Sequence, residues 1–142
     1  MTPIKVLLVE DSPVAMGLYK NLLESSSEVQ VVGTALNGME ALNLIPKVQP
    51  QVICTDLQMP LMDGMELIKQ VMANSPLPIL VLSSIVQKED IDNIWKILQA
   101  GAVDFLPKPS AASASDREQL KLTLITKIKV LANTKVYPKP LS

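Results

Sequence analysis

Residues 6–13 read Val-Leu-Leu-Val-Glu-Asp-Ser-Pro. Four apolar residues, too few for a helix, stop on two acids, and Ser12-Pro13 then supplies an N-cap followed by a proline at the first helical position. A buried strand therefore runs straight into a helix, and both acids fall at the strand's carboxyl end. Outward from here the alternation recurs. Short β-branched runs stand at 6–9, 29–32, 52–54, 79–82 and 103–106. Between them lie segments of helical spacing: Val14, Leu18 and Leu22 repeat at i+4, Met65, Ile68 and Met72 form a shorter series, and Ile91, Ile94, Trp95 and Leu98 make one stripe. Asn37 with Glu40 three residues on gives a capping-box-like start, and Gly101 follows the Trp95 helix as a C′ residue. Pro46 interrupts the repeat Ala41, Leu44, Ile45, Val48, so the second helix is expected to be short or kinked there.

Five strand–helix units imply a doubly wound α/β fold: a five-stranded parallel sheet of order 2-1-3-4-5, flavodoxin-like, with helices on both faces. The chain has 142 residues, the usual size of one domain, and is 48% hydrophobic and 19% charged, which excludes a disordered chain. Residues 1–133 are expected to be that domain. Residues 134–142, with Pro138 and Pro140, read as a C-terminal tail or the start of a linker to an output domain. Apolar runs of about five residues cannot span a bilayer. The chain does not open on a charged segment followed by an apolar stretch, so a cytoplasmic protein with no membrane partner is expected.

The single cysteine, Cys54, excludes an internal disulfide and a multi-cysteine metal cage. There is no histidine, which removes Ser-His-Asp and Cys-His triads and HExxH zinc sites. Net charge is −1, but residues 1–116 hold 7 Lys+Arg against 13 Asp+Glu and residues 117–142 hold 6 against 1. The basic end reads as a solvated lysine face on a last helix. With Tyr137 as its lone aromatic, it makes a poor nucleic-acid binder.

Glu10 and Asp11 follow the first apolar run directly, and Asp56 follows the third. In the 2-1-3-4-5 order strands 1 and 3 are neighbours at the switch point, so three carboxylates share one crevice. Crowded like charges need a cation, and an oxygen-only donor set suits Mg²⁺. Ser83 and Ser84 close the fourth strand with hydroxyl and N–H donors, and Lys108 after the fifth can set an ammonium against phosphate oxygens. A carboxylate nucleophile, a divalent cation, a hydroxyl and a lysine compose an aspartyl-phosphate site.

The pieces VEDSP at 9–13, TDLQMPLMDG at 55–64, VLSS at 81–84 and FLPKP at 105–109 resemble the receiver domain of two-component response regulators. The resemblance implies that Asp56 is the phosphoacceptor, taking its phosphoryl group from a sensor histidine kinase or a small donor. It also implies that Asp11, Asp56 and the Gln58 backbone carbonyl bind Mg²⁺, with Glu10 acting through water. Ser83 and Lys108 would hold the phosphoryl group, Phe105 would be the switch aromatic, and the Lys108–Pro109 peptide would be cis. Output partners would read the face made by the fourth helix, fifth strand and fifth helix. GAVDFLPKPS at 101–110, the serine pair at 83–84 and VVGTALNGMEAL at 31–42 are similar to the receivers of chemotaxis methylesterases. The chain would then be the regulatory half of such an enzyme, not itself an enzyme beyond its own phosphorylation and dephosphorylation. Alternatives are a stand-alone regulator acting by direct protein binding and a phosphohydrolase. Such a hydrolase usually needs a second aspartate two residues after its nucleophile, where this chain has Gln58.

Overall fold

The computed structural model describes residues 2–83, 96, 99, 104–107 and 113–138. Its strands are β1 Ile4–Val9, β2 Val29–Ala35, β3 Val52–Asp56, β4 Ile79–Ser83 and β5 Asp104–Pro107; its helices are α1 Pro13–Glu24, α2 Gly38–Val48, α3 Gly64–Asn74 and the C-terminal helix Ala114–Ala132. All four strand pairings are parallel, and the sheet order is β2-β1-β3-β4-β5, as expected from the sequence. Of the Trp95 helix only Lys96 and Gln99 are described, both helical; Trp95 itself, Gly101 and the Lys108–Pro109 peptide lie outside the described residues.

Strand alternation sorts the apolar side chains into two cores. Val6, Leu8, Val52, Cys54, Leu80, Leu82 and Leu106 face one layer, where Tyr19 and Leu23 of α1 and Leu124 and Ile128 of the C-terminal helix close over them. Leu7, Val9, Ile53, Ile79 and Val81 face the other, under Ala41 and Ile45 of α2 and Leu67, Ile68 and Met72 of α3. Each fully buried Leu or Ile contributes on the order of 1.5–3 kcal/mol, so these two layers hold the sheet ends in place. Cys54 is buried in the first layer, and desolvation pushes its thiol up to about 12, as suits an inert core residue.

Capping follows the sequence signals. The Ser12 hydroxyl accepts from the Ala15 amide at 3.3 Å, with Pro13 beginning α1. Asn37 Oδ1 accepts from the Glu40 amide at 3.0 Å, but Glu40 Oε1 takes the Leu36 amide at 3.2 Å, so the box closes one residue early.

Three expectations need correction. Val14 is 84% exposed and plays no part in the core stripe of α1, which is carried by Tyr19 and Leu23 with Leu18 and Leu22 beside them. Ala15 and Met16 of the same turn pack against that core, so Val14 lies off the buried face of the helix and not beyond its reach. Pro46 does not shorten α2, whose 11 residues match those of α3. The proline falls in the last turn, where it forfeits only one internal bond, and the helix still closes through the Gln49 amide on the Ile45 carbonyl with Gln49 left-handed at φ 48°. β2 runs on past Val32 to Ala35, because the register jumps from Val6–Val31 to Leu7–Gly33 and the bulge breaks the apolar alternation.

Candidate functional site

Register brings the acids together. Val9 of β1 pairs with Thr55 of β3, so the next residues, Glu10 and Asp56, leave the sheet side by side. Glu10 is 1% exposed; its amide donates to the Ala35 carbonyl at 2.9 Å and its Oε2 accepts from the Ser12 amide at 3.1 Å. Asp11 is exposed and Asp56 half-buried. One carboxylate oxygen from each of the three lies within 4.8 Å of the others. Unit charges about 4 Å apart repel by about 1 kcal/mol in bulk water and about 4 kcal/mol near a protein surface, so the cluster favours a bound cation. The donor set is oxygen-only and in part open to solvent. It is consistent with Mg²⁺, which keeps several waters and takes one or two carboxylates plus phosphate.

The loop after Asp56 is held from below. The Leu57 amide donates to Asp56 Oδ1 at 2.7 Å and the Thr55 hydroxyl to the Asp56 carbonyl at 2.8 Å. The Gly64 amide returns to the Leu57 carbonyl at 2.7 Å, and Asp63 caps α3 by accepting from the Glu66 amide at 2.9 Å. A Cβ at Gly64 would overlap the Asp56 carbonyl oxygen and lie 2.8 Å from Leu57 Cα. Only glycine lets α3 start this close to the acidic strand end. Between them the Met62 amide donates to the Pro60 carbonyl at 2.7 Å across Leu61, whose φ is 67°: a γ-turn of the rare, strained kind. The Met62 carbonyl accepts from the Gly38 amide at 2.9 Å, tying the loop to the start of α2.

The structure thus unites Glu10, Asp11 and Asp56, with Gln58 two residues on in the same loop. Ser83 ends β4 one register position beyond the Leu82 that pairs with Asp56; its side chain, Ser84 and Lys108 lie outside the described residues. Phe105 is half-buried against the second core, opposite Val81. Its amide donates to Asp104 Oδ1 at 2.8 Å, while Asp104 Oδ2 receives Lys127 of the C-terminal helix at 2.8 Å. Sequence reading did not single out Gly64 as a support of Asp56. The available signal was a glycine at the first position of a helix already capped by aspartate, where no backbone freedom is needed.

Residues 6–117 match the model of the response regulator receiver domain. The chain is 40% identical over 136 residues to a protein-glutamate methylesterase/protein-glutamine glutaminase of Methanococcus maripaludis, covering 96% of this chain and 37% of that protein. The match to the protein of the same description from Halalkalibacterium halodurans is 41% over 135 residues, covering 95% and 39%. This chain therefore spans under two-fifths of the length of these relatives. Among solved structures, the response regulator domain of Thermotoga maritima CheB superposes with a TM-score of 0.81 at 32% identity, covering 94% of this chain and 98% of that one. The paired strand ends, the three carboxylates and these likenesses lead to one assignment: the chain belongs to the response regulator receiver family and resembles the receivers of CheB methylesterases.

Proposed function

We propose that this chain is a phosphorylation switch in which Asp56 accepts a phosphoryl group from a sensor histidine kinase. The observation that carries the reading is the meeting of Glu10, Asp11 and Asp56 within 4.8 Å at adjacent strand ends. Asp11, Asp56 and the Gln58 carbonyl would hold Mg²⁺, with Glu10 acting through water. The ion, when bound, supplies positive charge against the phosphoryl oxygens. A carboxylate oxygen of Asp56 attacks phosphorus, the donor's P–N bond breaks, and the imidazole leaves with that electron pair. Leu57's amide on Asp56 Oδ1 fixes the carboxylate's rotation, and Gly64 holds its strand end in place.

The acyl phosphate brings about −1.5 to −2 charge and new acceptor oxygens to the crevice. Ser83 and Lys108 pair with it, and Phe105 turns inward as Ser83 moves, altering the face formed by the fourth helix, β5 and the C-terminal helix. The shift can be no larger than the phosphoryl group's differential interaction with the two states. Residues 1–133 form the switch and residues 134–142 begin a linker. In a longer parent the output is a methylesterase domain, supported by the two relatives of that description; a stand-alone chain would bind its target directly.

The test is labelling of the purified chain with phosphoramidate and Mg²⁺, followed by intact mass. The chain is expected to gain one acid-labile phosphoryl group, with none on Asp56→Asn. Removal of Mg²⁺ by chelation should stop the labelling. Mg²⁺-dependent labelling that persists in Asp56→Asn would overturn the assignment, and continuous turnover of phosphate monoesters would make the chain a hydrolase instead.

A further inference from the structure

The loop that leads from Asp56 to α3 is seated on sulfur. Leu57, Met59 and Met62 of that loop, and Met65 in the first turn of α3, are half-buried against the second core. Three of the chain's seven methionines thus fall within residues 59–65. The buried layers themselves are built mostly from Val, Leu and Ile, and Met72 is the one methionine buried in them among the described residues. Thioethers fill irregular gaps as Leu and Ile do, but unlike them they take oxygen from peroxides.

Met62 holds more than its own place. Its carbonyl accepts the Gly38 amide at 2.9 Å, and its side chain lies flat on the same glycine: a Cβ at Gly38 would stand 2.6 Å from Met62 Cγ and 2.9 Å from Sδ. Gly38 is buried and begins α2, so one residue fastens the loop to that helix through both backbone and sulfur. The other oxidisable groups differ. Met72 is 2% exposed, and Cys54 is buried with its thiol pushed up to about 12, so both are closed to peroxide. Met39, 48% exposed, belongs to the first turn of α2 and not to the loop. Met62 is half-buried, open enough to be reached and packed tightly enough for the change to matter.

The chemistry balances without a cofactor. A lone pair on Met62 Sδ attacks one oxygen of hydrogen peroxide, the O–O bond breaks, and the departing hydroxide takes the proton from the new S–OH to become water. The thioether is oxidised to a sulfoxide and the peroxide is reduced. The added oxygen needs room and a hydrogen-bond donor. The contact with Gly38 leaves no room, and the Gly38 amide is already engaged by the Met62 carbonyl. We infer that Met62 is an oxidation site through which peroxide slows phosphoryl acceptance at Asp56, an inference that rests on the phosphoacceptor reading above. Once unfastened, the loop no longer holds the Leu57 amide on Asp56 Oδ1 or the Gln58 carbonyl in place, so Mg²⁺ affinity and transfer fall together.

The experiment treats the full chain with graded hydrogen peroxide, removes the excess with catalase, maps sulfoxides by peptide mass spectrometry and times labelling by phosphoramidate and Mg²⁺. The rate is expected to fall about tenfold in step with Met62 sulfoxide, as small displacements of reacting groups do. The Mg²⁺ concentration for half-maximal rate should rise, and circular dichroism should show the oxidised chain still folded. Methionine sulfoxide reductases, one for each epimer, should restore the rate. Met62→Leu should label like wild type before and after peroxide, whereas Met39→Leu should stay as sensitive as wild type. The assignment is overturned by complete Met62 sulfoxide with an unchanged rate, by a loss that follows another methionine or persists in Met62→Leu, by a Met62 that peroxide leaves intact, or by an oxidised chain that has unfolded. If Met62→Leu labels slowly from the start, the wild-type arm decides, since the rate either returns with reductase or the assignment fails. Failure of untreated wild type to label overturns the phosphoacceptor reading instead.

Discussion

At the amino-terminal ends of the strands Val52, Ile53 and Ile79 are fully buried among apolar neighbours, whereas at the carboxyl ends the described residues bury three polar side chains, Glu10, Asn37 and Thr55. The amino edge has a shallow dent of about 330 Å³ lined by Pro46, Pro50, Pro76 and Leu77 among others, with no titratable group in its wall. The opposite edge crowds three carboxylates into one crevice. Stability and chemistry are thus separated along the strand direction. A like-charge cluster is tolerable because the apolar length of each strand behind it holds the backbone.

That separation can be broken experimentally. Ile53→Ala, deep in the second core, should cost about 2–5 kcal/mol in urea unfolding while the folded fraction still accepts a phosphoryl group. A loss of labelling in folded Ile53→Ala would show that the two regions are not separable. Gly64→Ala tests the boundary, since its methyl would overlap the Asp56 carbonyl. It should lose about 1–3 kcal/mol and also slow phosphoramidate labelling under fully folding conditions. Asn37→Ala sharpens the distinction from the other side. Its buried side chain caps α2 at the chemical edge, and its loss should cost about 1 kcal/mol by thermal melting with labelling rate preserved. The smallest effect belongs to Lys127→Met, whose ion pair with Asp104 is about a third exposed on both sides. Less than about 1 kcal/mol should be lost in urea unfolding, with labelling unaltered.

Much of this division was legible in the residues. Apolar runs ending on acids placed β1 and β3 and put Glu10, Asp11 and Asp56 at one edge, because strand order converts sequence position into proximity. The α3 series was also sound: Ile68 and Met72 are buried and Met65 packs beside them. What stayed hidden depends on tertiary contact. Val14 fits a helical repeat, yet the face α1 turns to the sheet is centred on Ala15, Tyr19, Leu22 and Leu23, and a spacing alone does not reveal which face that is. Gly64 was not marked out, because its contact is with the backbone of Asp56, eight residues earlier. Leu61 gives no local hint of a left-handed φ, since its conformation is dictated by the bonds of Pro60, Met62 and Gly38 around it. Pro46 was read by the rule for helix interiors, although it lies where the rule relaxes.

The extra residue in β2 has a consequence for how copies of the molecule meet. β2 is an outermost strand, and an outermost strand offers a ladder of open amides and carbonyls to any passing extended segment. At Val32 the spacing of that ladder slips by one residue, so an incoming strand cannot stay in step along its length. Strand-to-strand polymerisation through this flank is thereby disfavoured.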